Sequence, residues 1–523
     1  MSEEKQPQHA SLFRNYLSFA GAVIVIAAVV SILLLFFIEL SETADNPYLG
    51  ILTYIILPAF LVLGLLVMLA GMLLERRRRR RQPDLEIARF PKIDLNESRQ
   101  RNWALAILAL SFIFVCASAF GSYRAYEYTE SVEFCGQACH DVMKPEAVAF
   151  AATSHAKILC VDCHVGHGAE SYARSKLSGA RQLFALIAGS YSKPIETPVH
   201  NMRPADQTCE QCHWPAKFHG AKLKTFNHYA YDEQNSLRQM RLLINVGGGD
   251  PSSGPVAGIH WHMNLANEVT FIATDKQRQV IPWIRVKDRK GNVTEYYDRS
   301  RPLSAEQIAS AEKRRMDCID CHNRPAHAYL PPDVAVDQSL SAGRLDPSLP
   351  YLKRQIVEAL NKPYTTEAEA VRTIGESLDG FYRTNYGVLY TQKSGVIKAA
   401  VGETQRIFKT YFFPEMKTNW STHPNNIGHL YSSGCFRCHD GEHVSNTGKV
   451  IRNDCNLCHT VLSDSERPST TLISNTMQHP VDLGGLADRK CETCHKANEP
   501  FRHPLNLGDI SMFQCVECHP KEK

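Results

Sequence analysis

This sequence has little excess of charge of either sign. Its 523 residues include 58 basic and 54 acidic side chains, which leaves a net charge of +4. A domain that binds nucleic acid is usually strongly basic, so nucleic acid is not an expected partner. Cysteine is also sparse: 17 cysteines in 523 residues are too few for a disulfide-stabilised mini-protein. A chain of this length is expected to form about three structural units.

The cysteines that are present follow one spacing. Seven segments read Cys-x-x-Cys-His and an eighth has one extra residue between its cysteines, so 16 of the 17 cysteines lie in eight motifs. Composition alone would produce roughly 0.02 such matches. The remaining cysteine, Cys116, lies in an apolar run and is expected to be a small packing residue. The motifs are Cys135, Cys139 and His140; Cys160, Cys163 and His164; Cys209, Cys212 and His213; Cys318, Cys321 and His322; Cys435, Cys438 and His439; Cys455, Cys458 and His459; Cys491, Cys494 and His495; and Cys515, Cys518 and His519.

These motifs have the form that attaches haem covalently. In c-type cytochromes both thiols form thioethers to the haem, and the adjacent histidine is aimed at the iron. Zinc ribbons and disulfides are the alternatives, but neither requires a histidine directly after the second cysteine. The sequence therefore predicts eight covalently bound haem c groups, including one at the longer first motif, where the extra residue still permits attachment.

Histidines outside the motifs are candidates for the sixth iron ligand. Four of them share one register, 12 residues before the first cysteine of a motif: His423, His443, His479 and His503. This register predicts iron ligation, although it leaves open which haem each histidine serves. With every iron held by two protein ligands, the chain would transfer electrons rather than reduce a substrate. Four further side chains are open between iron ligation and a packing or surface role: Met143, which would serve the first haem, His167, His200 and His429.

Three apolar runs precede the first motif, at residues 17–40, 49–74 and 103–120. Each is close to the roughly 20 residues that cross a lipid bilayer as a helix. Their centres hold almost no ionisable residues, which argues against a proton pump or an ion channel. Six consecutive arginines at 76–81 mark the segment after the second run as cytoplasmic. The chain is therefore predicted to begin in the cytoplasm, cross a bacterial inner membrane three times and expose its haem motifs to the periplasm.

The spacing of the motifs divides the chain into four predicted parts. They are a membrane anchor at 1–122, a tetrahaem domain at 123–335, a helical connector at 336–420 and a C-terminal tetrahaem domain at 421–523. The last part is too short to bury a side-chain core, so its porphyrins are expected to act as one. The fold class is thus a mainly α and irregular multihaem cytochrome c, with haems as its core.

Local patterns predict the secondary structure of the middle of the chain. A β-rich insertion is expected at about 215–315, between motifs three and four. It is predicted to start with a helix over 227–244 and to continue with strands over 268–274, 280–286 and 292–297. The connector is predicted to hold three amphipathic helices that pack on haem faces, at 352–360, 367–378 and 397–408.

Several of these segments resemble the NapC/NirT family of membrane-anchored tetrahaem quinol dehydrogenases. The resemblance rests on Phe134-Cys135 and Met143-Lys144-Pro145 around the first motif, Ser154-His155 before the second, and Ala326-His327 after the fourth. It covers about residues 105–332 and implies that His155 and His327 are distal haem ligands. Three features depart from the family: three predicted spans instead of one, the longer first motif, and a methionine three rather than two residues after its histidine.

The resemblance also points to a quinol site. In some members a lysine twelve residues after the histidine of the second motif lines the quinol pocket, and Lys176 has that spacing from His164. The acidic residue that those members carry seven positions later is Leu183 here. A catalytic role for Lys176 is therefore half supported, and a plain surface lysine is the alternative.

The function implied by the resemblance is oxidation of menaquinol from the membrane quinol pool, with transfer of the electrons to periplasmic c-type cytochromes. Two alternatives stay open. One is an electron conduit fed by another membrane complex, and the other is a terminal reductase with one open haem iron. The sequence leaves the oligomeric state undecided, and a homo-oligomer is compatible with it.

Overall fold

The computed structural model describes residues 12–13, 15–41, 57–81, 94–138, 140–166, 169–199, 202–248, 258–263, 267–288 and 290–464. The predicted haem motifs seven and eight lie outside these residues, and so do Cys139, His167, His200, His479 and His503. The side chains of His140, Lys176 and Cys455 are likewise outside the description. The chain divides into two compact units, Met1–Glu130 with Val165–Arg181, and Ser131–His164 with Gln182–Lys523.

The first unit contains three long helices, α1 (Tyr16–Ser41), α2 (Leu57–Arg81) and α3 (Ser98–Glu130). Helices α1 and α2 approach closely because glycine lies where they meet. A Cβ atom on Gly21 would lie 2.5 Å from Met68 N, and one on Gly71 would lie 2.6 Å from Ser18 Oγ. The Ser18 hydroxyl also donates a hydrogen bond to the Met68 carbonyl, at 3.2 Å. Small residues and an interhelical hydroxyl bond are typical of helix pairs packed within a bilayer.

Two described helices are long and apolar enough to cross a membrane, at Tyr16–Leu33 and Leu57–Arg78. They correspond to the first two predicted spans. The third predicted span, 103–120, lies within α3, whose 33 residues extend about 50 Å. Many of its side chains are outside the description. The structure thus gives two candidate spans where the sequence predicts three, and the third crossing stays a prediction.

Short and medium helices make up most of the second unit. They are α4 (His140–Ala151), α5 (Cys160–His164), α6 (Ala169–Ile187, which runs across both units), α7 (Ala305–Ser310), α8 (Cys318–Cys321), α9 (Pro332–Ser341), α10 (Leu352–Asn361), α11 (Glu367–Asn385), α12 (Gly387–Gln392) and α13 (Ser394–Tyr411). Helices α10, α11 and α13 form where the periodicity predicts helices. Together with α9 they enclose an apolar core of their own, in which Ile356, Ile374 and Ile407 are fully buried. The connector is therefore stabilised by ordinary side-chain packing.

The helix predicted over 227–244 is wrong: this segment forms a β-hairpin. Strands β1 (Lys222–Tyr229) and β2 (Leu237–Ile244) pair antiparallel. The turn between them contains Asn235 with φ 49°, and the Asn235 side chain donates to the carbonyls of Pro347 and Leu349 at 2.9 and 2.8 Å. Asparagine tolerates this left-handed conformation, and the tertiary hydrogen bonds fix it, so the turn outweighs the helical pattern.

The other strands complete two antiparallel sheets. They are β3 (Glu268–Ile272), β4 (Trp283–Lys287), β5 (Val293–Asp298), β6 (Arg314–Arg315), β7 (His443–Ser445) and β8 (His459–Asp464). Strands β3, β4 and β5 overlap the three predicted strands. The sheet orders are β1-β2-β8 and β6-β3-β4-β5-β7.

Both sheets end on a strand from the predicted C-terminal tetrahaem domain. Ile244 of β2 pairs with His459 of β8, and Asp298 of β5 pairs with His443 of β7. As far as residue 464, the C-terminal part and the β-rich segment therefore share both sheets and form one body. Whether the β-rich segment is an insertion into a family fold stays a prediction.

Candidate haem centres

Motifs two to six each contain a single helical turn. In the turns that begin at Cys209, Cys318 and Cys435, the amide of the motif histidine donates to the carbonyl of the first cysteine at 2.8, 2.8 and 3.0 Å. One turn of helix brings the two cysteines and the histidine together on a short segment. None of the ten cysteines whose side chains are described forms a disulfide. The turns are thus compatible with thioether attachment.

Successive motifs lie against one another. An interaction with Cys135 lowers the pKa of the Cys160 thiol to about 7, so the first cysteines of motifs one and two lie close together. An interaction with Cys318 likewise lowers the pKa of the Cys209 thiol to about 6. Motifs one and two, and motifs three and four, therefore lie close to each other in space.

Five histidine pairs face each other across the gaps beside these motifs. Each pair combines one motif histidine with one histidine from elsewhere in the chain. The ring centroids are separated by 6.2 Å for His164 and His327, 6.0 Å for His213 and His155, 6.4 Å for His322 and His260, 5.8 Å for His439 and His262, and 6.2 Å for His459 and His429. A metal–imidazole bond is about 2 Å long, so two imidazoles on opposite sides of one iron have centroids roughly 6 Å apart. The residues present fit a haem iron between the two rings of every pair.

Four of the rings in these pairs have a hydrogen bond that leaves one ring nitrogen available for ligation. The Nδ1 atoms of His260, His262 and His327 lie 2.7, 2.9 and 3.0 Å from the carbonyl oxygens of Val246, Ile259 and Glu146. Because a carbonyl only accepts, Nδ1 carries the proton in each ring and the lone pair is on Nε2. His439 has the same arrangement with the Arg452 carbonyl at 2.6 Å. Metal-binding histidines typically donate their second nitrogen in this way.

Burial favours the neutral imidazole in the same rings. It lowers the pKa of His262 to about 4 and also lowers the pKa of His164, His260 and His322. Burial likewise lowers the pKa of His327, although the Glu146 carboxylate opposes the shift. A neutral imidazole is the form that binds a metal.

The structure places His443 in a different role from the predicted ligand. Its ring is 1% exposed, with Nδ1 2.9 Å from Asp440 Oδ1 and Nε2 2.7 Å from the Ile281 carbonyl. Burial lowers its pKa, but the hydrogen bonds to Asp440 and Ile281 and the charge of Asp298 outweigh burial and raise it. Both nitrogens therefore donate, and no lone pair is left for an iron. The cause is the pairing of β7 with β5, which fixes His443 within a sheet.

His423, the second register histidine that is described, is buried, with Nδ1 2.9 Å from Thr197 Oγ1. None of the motif histidines with a described side chain is in ring contact with it. The register therefore does not predict the observed pairs. Met143 lies on α4 three residues after His140 and is half-buried, and its role at the first haem stays a prediction.

Two histidines in the pairs, His260 and His262, are not among the ligands predicted from the sequence, and His429 is one of the open candidates. His260 and His262 form a His-x-His segment far from any motif. The sequence feature that could have marked His260 and His262 as ligand candidates is their short spacing. No fixed distance to a motif marks any of the three, because they reach their partners through tertiary structure.

Lys176 lies on α6, and its side chain is outside the description. The same helix exposes large apolar side chains: Leu177 is 75%, Phe184 72% and Ile187 78% exposed. With Arg174 and Arg181 also on the helix surface, α6 has the composition of a helix that lies at a membrane interface.

Motif turns whose described cysteines form no disulfide, set beside paired histidines, define a multihaem c-type cytochrome. The NapC/NirT cytochrome c family model, for its N-terminal region, matches residues 97–219. Cytochrome c-type protein ImcH of Geobacter sulfurreducens is 42% identical over 485 residues, which cover 92% of this chain and 95% of that protein. The chain therefore belongs to the NapC/NirT cytochrome c family, whose members are membrane-anchored electron-transport proteins that bind haem.

A second relative covers the N-terminal part alone. Cytochrome c nitrite reductase subunit NrfH of Nitratidesulfovibrio vulgaris is 25% identical over 155 residues, which are 28% of this chain and 93% of that protein. No solved structure matches the chain. The pairs formed by His260, His262 and His429 lie beyond the segment that the family model covers.

Proposed function

We propose that this protein is a membrane-bound octahaem quinol dehydrogenase that oxidises menaquinol and passes the electrons to a periplasmic c-type cytochrome. Its family membership and two candidate spans support a location at the membrane. The proposed orientation, with the haem motifs in the periplasm, follows from the six arginines at the end of α2.

The observation that carries the proposal is the set of five histidine pairs. All five motif histidines with described side chains face a second histidine at ligand distance. Irons held on both sides offer no position for a substrate, which favours electron transfer. When bound, the haems accept single electrons and relay them along the chain. The same pairs argue against a terminal reductase.

Helix α6 is the proposed location of quinol oxidation. A quinol is dissolved in the bilayer, so its site needs an apolar surface and a polar group that takes its protons. The exposed face of α6 with Leu177 and Phe184 supplies the first. The resemblance assigns the second to Lys176, which would bind a quinol hydroxyl and assist its deprotonation. The alternative is an electron conduit that receives electrons from another membrane complex and has no quinol site.

Reduction by quinol distinguishes these two functions. The oxidised, detergent-solubilised protein is mixed anaerobically with a reduced menaquinone analogue while the haem α-band is followed, and dithionite then gives the full amplitude. We expect rapid partial reduction by quinol. Lys176→Met should slow it about tenfold or more with an unchanged dithionite amplitude. The control Lys222→Met removes an exposed lysine at the start of β1 and should behave as wild type.

Two outcomes would contradict the proposal. Full reduction by dithionite without any reduction by quinol would identify a conduit whose electron donor is another protein. A high-spin ferric iron in the wild-type protein whose signal changes when nitrite or hydroxylamine is added would identify a reductase. Fewer than eight haems by mass spectrometry would contradict the proposed haem count, and the quinol test would still decide the function.

A further inference from the structure

The turn Ile259–Met263 carries two histidines that face two different motifs. His260 lies opposite His322 of motif four with the rings 4° from parallel, and His262 lies opposite His439 of motif five with the rings at 90°. Motif four is the last motif of the predicted N-terminal tetrahaem part, and motif five is the first of the C-terminal part. The turn therefore lies where the two sets of haems meet.

Backbone contacts hold this turn in place. The amides of Ile259 and His260 donate to the carbonyls of Asn245 and Gly247 at 2.8 and 3.1 Å. The approach is too close for a side chain, since a Cβ atom on Gly248 would lie 2.5 Å from Trp261 N. Gly248 also has φ 108°, which favours glycine. The turn is thus fixed to the end of β2 rather than free to move.

The turn also packs on the motifs that it faces. Trp261, between the two histidines, and Cys438 of motif five both contact the apolar cluster formed by the second sheet. The backbone N–H of Asn245, whose carbonyl holds the turn, donates to the carbonyl of Cys458 in motif six at 2.9 Å. Motif five and the turn therefore pack on the same apolar cluster.

The hydrogen bonds of His260 and His262 distinguish iron ligation from simple packing. A buried structural histidine uses both nitrogens, as His443 does with Asp440 and Ile281. His260 and His262 each have Nδ1 bound to a carbonyl, which leaves the Nε2 lone pair for the gap shared with the motif histidine.

We propose that the turn Ile259–Met263 supplies the sixth ligand to two irons, His260 to the iron held by His322 and His262 to the iron held by His439. One short turn then joins the two tetrahaem sets, and electrons pass from the first set to the second at haems four and five. This assignment rests on the proposed haem attachment at motifs four and five, and it does not require a quinol site.

The test is the ferric spin state of single variants of the full-length, haem-loaded protein. His260→Gly and His262→Gly should each convert one low-spin iron per chain to high spin in the electron paramagnetic resonance spectrum, and the double variant should convert two. Added imidazole should restore the low-spin signal. The matched control His443→Gln removes another buried imidazole and should leave every iron low-spin. Haem content, measured as the pyridine haemochrome, should equal that of wild type.

An unchanged low-spin spectrum in His262→Gly at full haem content would overturn the assignment, and so would conversion of an iron in the control. If the glycine variant does not accumulate, His262→Met keeps a ligand at that position and should raise the reduction potential of one haem. Unchanged potentials in that variant would also overturn the assignment. A wild-type protein that menaquinol does not reduce would contradict only the proposed function.

Discussion

The second ring nitrogen separates two kinds of histidine in this protein. In His260, His262 and His327 one nitrogen donates to a backbone carbonyl, and the ring faces a motif histidine. In His443 both nitrogens are hydrogen-bonded to oxygen atoms, of Asp440 and of the Ile281 carbonyl. A proposed haem ligand and a structural histidine are therefore alike in sequence and differ in their hydrogen bonds.

The buried ion pair of Lys353 and Asp337 also depends on its hydrogen-bond and charge partners. Lys353, 2% exposed, lies 2.8 Å from Asp337 Oδ1 and donates to the Tyr229 carbonyl at 2.6 Å. Lys353→Met should lower the free energy of unfolding by about 3–5 kcal/mol, because it leaves the Asp337 carboxylate buried without its cation. Urea unfolding followed by circular dichroism measures this. In the double variant Asp337→Asn, Lys353→Met much of the loss should be recovered, and a loss equal to the sum of both single variants would contradict the explanation.

The proposed haem-attachment residues follow from local sequence, whereas the proposed distal ligands do not. A Cys-x-x-Cys-His motif contains both thiols and one ligand within a single turn, so local spacing is sufficient to predict it. His155 and His327 were implied by a resemblance, and the structure brings them to His213 and His164. The partners of His322 and His439 depend on where a distant turn packs, which no local pattern encodes.

At the scale of elements, the hairpin β1–β2 shows why the helical prediction over 227–244 failed. The side chain of Asn235 binds the carbonyls of Pro347 and Leu349, and Tyr229 donates its amide to Asp337. The hairpin is thus fixed by the helical connector, more than 100 positions away along the chain. Predictions succeeded for α10, α11 and α13, whose apolar stripes are strong enough to define a helix without such contacts.

Helices α9 and α13 are held together by a buried carboxylate. Glu403 accepts hydrogen bonds from Arg406 at 2.6 Å, Arg344 at 2.7 Å and Ser339 at 2.6 Å. Burial raises the pKa of Glu403, but these donors outweigh it and lower the pKa to about 2. A lowered carboxyl pKa contributes stability above the usual value of about 4.3, and that stability is lost as the pH falls toward the folded pKa.

Glu403→Gln should therefore lower the free energy of unfolding at pH 7 by about 1–3 kcal/mol, since it weakens charge-assisted hydrogen bonds. The difference from wild type should shrink between pH 4.5 and 2, where the wild-type carboxylate takes up its proton. Urea unfolding at a series of pH values measures both quantities. Glu376→Gln, at an exposed position on α11, is the control and should show no difference. A constant difference at all pH values would contradict the role of ionised Glu403.

At the scale of the whole molecule, the β-rich segment and the C-terminal part are interdependent. A chain that ends after residue 464 retains β7 and β8 and should keep both sheets with six haems. A chain that ends after residue 420 loses the edge strand of each sheet and should be degraded or lose the second sheet. Haem content by mass spectrometry and limited proteolysis distinguish the two. Equal protease resistance of both chains would show that the shared strands contribute nothing to stability.

The shared strands also set the order in which the molecule can be assembled. Asn245 and Asn456 are hydrogen-bonded although they are 211 positions apart. In the proposed orientation the hairpin β1–β2 is exported long before β8, and its edge then has no strand to pair with. Contacts this distant along the chain are expected to form more slowly than the local contacts of the helical connector. Completion of the sheets would therefore require that the sixth motif has reached the periplasm, and an interrupted chain would expose open strand edges to periplasmic proteases.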